Sequence, residues 1–68
     1  MSNRMGDVAA LFGKVIGERF RVKFLYENRE GVFTESGLQT KDLDVWHINN
    51  AWLNYLLTGK AEIVEDEE

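Results

Sequence analysis

Arg19-Phe20-Arg21-Val22-Lys23-Phe24-Leu25-Tyr26 decides the fold. Phe20, Val22, Phe24 and Tyr26 alternate with Arg19, Arg21, Lys23 and Leu25, and a period of two belongs to a strand with one buried face. Downstream, Glu27-Asn28-Arg29-Glu30-Gly31 has the polarity and glycine of a loop, and Val32-Phe33-Thr34 is β-branched and aromatic, as a second strand should be. Ser36-Gly37 reads as a tight two-residue hairpin loop that returns the chain through Leu38-Gln39-Thr40. The centre of the chain is therefore expected to be an antiparallel meander.

Upstream the period changes. Val8, Leu11, Phe12, Val15 and Ile16 fall at i, i+3, i+4, i+7 and i+8 within Asp7 to Gly17, one stripe of an amphipathic helix. Ser2 or Asn3 could cap its start and Gly17 its end, while Gly13 lies opposite the stripe and lowers helix propensity there. After a polar connection, Lys41-Asp42-Leu43-Asp44, helical spacing resumes with Ile48, Ala51, Trp52, Tyr55 and Leu56, for which Asp44 or Asn49 are candidate caps. Thr58-Gly59-Lys60 closes that helix, and Ala61-Glu62-Ile63-Val64-Glu65 suits one last strand. The expected fold class is α+β: an N-terminal amphipathic helix, a small antiparallel sheet of three to four strands, and a second helix before a short C-terminal strand. The expected core is Leu11, Phe12, Val15, Phe20, Val22, Phe24, Phe33, Leu38, Trp52, Leu56 and Ile63.

Sixty-eight residues leave room for one small domain, read as 1–65 with an acidic tail at 66–68. The absence of Cys excludes disulfides and thiolate metal sites, so packing alone must hold the domain, and a second subunit would help. The formal charge of −4 is uneven, because Glu62, Glu65, Asp66, Glu67 and Glu68 crowd the C-terminal end. Such a tail suits a solvated terminus better than a mimic of DNA phosphates. Charges interrupt every apolar run, which argues against a membrane span. The polar stretch Met1 to Asp7 does not read as a secretory signal, and the expected compartment is cytoplasmic.

Gly17-Glu18-Arg19-Phe20, Phe33-Thr34-Glu35-Ser36-Gly37-Leu38, Trp46, and Leu56-Leu57-Thr58-Gly59-Lys60-Ala61-Glu62-Ile63 carry a resemblance. In order and spacing they resemble a group of small, uncharacterised accessory proteins of phages and prophages of Gram-positive bacteria. The stretch Asp42 to Asn50 and the acidic tail depart from that pattern. The resemblance implies an accessory protein acting in the host cytoplasm, and it carries no catalytic residue to transfer.

His47 has no other strong ligand beside it, and Asp42 and Asp44 alone make a poor metal site. Ser2 and Ser36 sit in a tail and a turn with no positioned base, so neither catalysis nor a cofactor is expected. Trp46, Trp52 and Tyr55, with Leu53 and Leu57, give the second helix more apolar surface than one small sheet needs. Trp52 is assigned to the core. Trp46, Leu53, Tyr55 and Leu57 are the candidate protein interface, because Trp and Tyr anchor binding hot spots. The expected function is thus a non-catalytic interaction module for a host or phage protein, or for a second copy in a homodimer. One alternative is a nucleic-acid-binding accessory protein that uses Arg19, Arg21 and Lys23 on the face opposite Phe20, Val22 and Phe24. Another is a small-ligand or nucleotide binder at a dimer cleft.

Overall fold

The computed structural model describes residues 4–64. Seven elements follow in the order α1 (Arg4–Leu11), β1 (Arg19–Phe24), β2 (Glu27–Thr34), β3 (Gly37–Asp42), β4 (Val45–Ile48), α2 (Asn50–Thr58) and β5 (Glu62–Val64). The strands form one antiparallel sheet in the order β4-β3-β2-β1-β5, a four-strand meander whose last strand returns to pair with β1. The α+β class and the order helix, strands, helix, short strand are as expected. The sheet has one strand more than the upper expectation.

That extra strand, β4, occupies Val45–Ile48, where a polar connection and the start of a helix were expected. Leu43 and Asp44 make the turn before it, with φ of 53° and 68°. Two consecutive left-handed residues form the mirror-image turn that matches strand twist, and they normally require Gly or Asn. A Leu-Asp pair carries no such signal. Two hairpins earlier the turn is also unsignalled: Leu25 turns the chain at φ 56° and the supposed loop from Glu27 to Gly31 continues β2. The hairpin between β2 and β3 turns on Glu35-Ser36, one residue before the expected Ser36-Gly37, because Gly37 already pairs with Thr34: the Ser36 N–H donates to Thr34 Oγ1 (3.1 Å), and that hydroxyl donates to the Gly37 carbonyl (3.0 Å).

The first helix is shorter than its apolar stripe. Gly13 adopts φ 73°, its N–H bonds the Ala10 carbonyl, and the Lys14 N–H reaches back to Ala9 (2.9 Å). This is a left-handed glycine cap, so Gly13 ends the helix and Gly17 belongs to a separate turn. Chain beyond the cap no longer follows a helical period. Leu11 and Val15, both expected in the core, are 74% and 65% exposed, and Ile16 is exposed as well. The helix ends instead on Ala9, which is buried, and on Phe12, which stacks on Phe33 with centroids 5.8 Å apart. The candidate caps Ser2 and Asn3 and the acidic tail lie outside the described residues.

Both helices cover one face of the sheet. Phe20, Val22, Phe33 and Leu38 from the strands pack with Ala9, Trp52, Leu56 and Ala61, with Phe12, Phe24, Leu53, Tyr55 and Ile63 half-buried around them. Gly31 keeps the centre of β2 open, since a Cβ there would lie 3.0 Å from both Phe20 Cε1 and Val22 Cγ2. At the start of α2 the Asn49 side chain accepts from the Trp52 N–H (3.1 Å) and donates to the buried Thr40 hydroxyl (3.0 Å), fixing the helix to β3. Gly59, at φ 84°, ends α2.

Candidate functional site

The strand period and the ladder register place residues on the second, uncovered face of the sheet. On β1 these are Arg19, Arg21 and Lys23, opposite Val32, Glu30 and Asn28 of β2. Gln39 and Lys41 of β3 follow, then Ile48 and Trp46 of β4, while Glu62 and Val64 of β5 flank Lys23 and Arg21. Among the described residues four Lys and Arg side chains project here, against two acids. An acidic chain thus turns one basic face outward.

Arg19 and Trp46 meet across that face. The Arg19 guanidinium carbon lies 5.5 Å from the centre of the Trp46 ring, although the two strands are separated by β2 and β3. Such a cation over an indole face is attracted by the ring quadrupole, and holding it here orients both side chains flat across the middle of the sheet. Lys41 is shared between Glu30 (3.8 Å) and Asp44 (3.9 Å), exposed pairs that contribute little to stability. Arg19, Phe20, Arg21 and Glu30 line a notch of about 50 Å³. Sites for drug-sized ligands occupy ~300 Å³ or more, so this notch is too small for a nucleotide.

The structure does not bring the four candidate interface residues together. Trp46 is half-buried on the uncovered face, whereas Leu53 and Tyr55 face the sheet from α2 on the opposite side. Tyr55 stacks on Phe24 with centroids 4.3 Å apart and planes 12° from parallel, and Phe24 meets Trp52 edge-on at 5.6 Å. Leu57 alone of the helix candidates is half-exposed, at 51%. The structure does assemble Arg19, Arg21 and Lys23 on one face, and it adds Trp46, Lys41 and Ile48 to them. Ile48 was missed because the sequence reading lacked β4, and Lys41 because that reading ended the third strand at Thr40. The β-favouring run Val45-Trp46-His47-Ile48 was the signal available.

His47 is exposed on β4, on the face opposite Trp46. Among the described residues no group of three or more His, Asp or Glu side chains is placed to hold a metal ion. No helix among the described residues is long and apolar enough to cross a membrane. No family model, curated protein or solved structure matches the chain.

Proposed function

We propose that this protein is a non-catalytic interaction module whose working surface is the uncovered sheet face, and whose partner is an acidic protein surface with an apolar anchor point. The contact between Arg19 and Trp46 carries the reading. Trp and Arg are among the residues most enriched where binding energy concentrates, and here a half-buried Trp has Arg19 over its ring and Lys41 opposite it on β3, with Arg21 and Lys23 further across the same face. The surrounding cations steer an acidic partner and set its orientation, while burial of the indole supplies affinity. In line with the resemblance to phage accessory proteins, the partner would be a host or phage protein in the host cytoplasm.

Nucleic acid is the second reading, favoured by the same cations and by an aromatic ring beside them. Two features weigh against it. Glu30 and Glu62 interrupt the basic face, and the guanidinium of Arg19 occupies a face of the ring on which a base would stack. Two titrations of isotope-labelled protein separate the readings: one with a Glu-rich peptide containing a single Leu, the other with single-stranded oligothymidylate. The peptide should shift the amides of Arg19, Arg21, Lys41 and Trp46, and Trp46→Ala should weaken it roughly tenfold, the scale of one hot-spot side chain. Oligothymidylate binding with a steep salt dependence would replace the protein reading by the nucleic-acid one. Peptide shifts centred on Leu53 and Leu57 would move the site back to α2.

A further inference from the structure

The two edges of the sheet differ in chemistry. At the β5 edge Glu62 lies on the strand, and Glu65, Asp66, Glu67 and Glu68 follow it in sequence, so two such edges would repel each other. At the other edge β4 reads Val45-Trp46-His47-Ile48, with neither a Lys, an acid nor a Pro. Charges, Pro and bulges are the usual guards on a strand edge, and β4 has none of them.

The turn determines which backbone groups this edge offers. Residues flanking a two-residue hairpin turn exchange both of their hydrogen bonds, so Asp42 and Val45 are bonded to each other, and alternation then bonds Thr40 to His47. The next odd residue obeys the same rule, with the Asn49 N–H donating to the Leu38 carbonyl at 2.8 Å. Trp46 and Ile48 therefore direct their N–H and C=O groups away from β3. Their side chains both lie on the uncovered face, and Ile48 is 43% exposed.

We propose that two copies of this chain join β4 to β4 in antiparallel register, with His47 opposite His47 and each Trp46 opposite Ile48 of the second copy. Only this register engages all the outward groups of both chains. A shift that sets Trp46 against itself brings Ile48 opposite Asp44, which has left the strand at φ 68°. The opposite shift brings Trp46 against Asn50, the first residue of α2. In the proposed register Asp44 faces Asn50, so no like charges are opposed, and the two Trp46–Ile48 pairs form an apolar strip across the seam. The contact is two-fold symmetric and closes at a dimer, and it extends the basic face into one ten-stranded sheet. Its hydrogen bonds come from the strand edge and not from the sheet face, so the backbone pairing does not require a bound partner, although Trp46 belongs to both surfaces.

Hydrogen exchange on the full chain, followed from micromolar to millimolar concentration, tests the pairing. The Trp46 and Ile48 amides should slow roughly tenfold or more as dimer forms, while those of Val45 and His47, already bonded to β3, change little. In a mixture of labelled and unlabelled protein, isotope-filtered spectra should show contacts between the Trp46 β-protons and the Ile48 methyls of the other copy. Ile48→Pro removes an outward N–H that β3 does not use and should leave a monomer with unchanged circular dichroism, whereas Ile48→Thr should still dimerise. A strict monomer at millimolar concentration overturns the proposal. So does a dimer in which the Trp46 and Ile48 amides exchange as fast as at high dilution. Failure of the pairing would leave the peptide-induced shifts at Arg19 and Arg21 intact.

Discussion

Leu43 and Asp44 hold left-handed backbone conformations, at φ 53° and 68°, with side chains that pay a steric cost there. A non-glycine residue in that region costs roughly 1–2 kcal/mol, because its Cβ crowds the neighbouring carbonyl. Leu43 is also 90% exposed, so it recovers nothing by packing. Leu25, at the tip of the neighbouring hairpin on the same end of the sheet, has the same conformation and is also exposed. Replacing Leu43 and Asp44 together by Asn and Gly, the pair that this turn prefers, should raise stability by about 1–2 kcal/mol. Urea denaturation monitored by Trp fluorescence measures it. A lower midpoint would mean that the Leu43 side chain makes a stabilising contact.

Among the elements, α2 depends on one side chain at its start. Asn49 caps the Trp52 N–H with its oxygen and supplies its nitrogen to Thr40, which is 1% exposed. Asn49→Ala removes a cap, at about 1 kcal/mol, and leaves a buried hydroxyl without its donor, at about 1–3 kcal/mol. The loss should be about 2–4 kcal/mol in all. Asn49→Ser keeps a capping oxygen but is too short to reach Thr40, and it should recover about 1 kcal/mol of that loss. Equal stability of the two variants in thermal melts would show that the cap is dispensable. The short helix α1 is held differently, by Ala9, the half-buried Met5 and Val8, and the stack of Phe12 on Phe33 just past its end.

Over the whole molecule this difference makes stability uneven. Phe33 is fully buried where Phe12, Phe20 and Leu38 converge, so β2 and β3 should open only on global unfolding. Helix α1 packs against β2 alone to any extent and ends on the exposed Leu11, so it should open before the sheet. Native-state hydrogen exchange should give the α1 amides a lower opening free energy than the amides of β2. Phe12→Ala should lower the α1 values further and leave the slowest β2 amides still limited by global unfolding. If α1 and β2 exchange with the same opening energy, the molecule unfolds as one unit and α1 belongs to its core.

The sequence by itself determined the elements whose signal is local. The alternation through Phe20, Val22 and Phe24, a tight hairpin within one residue of Ser36-Gly37, the helix ended by Gly59 and the final short strand all depend on periodicity and turn chemistry within a few residues, and all are present. Only the tertiary structure decided the rest. The turns at Leu25 and at Leu43-Asp44 run against local preference and persist because the strands they join are paired across the sheet. The left-handed cap at Gly13 cut short an apolar stripe that periodicity alone would extend to Ile16. The candidate surface changed for the same reason. Arg19 and Trp46 are far apart in the chain and on different strands, and no local pattern could put them in contact until β4 existed to turn the indole onto the basic face.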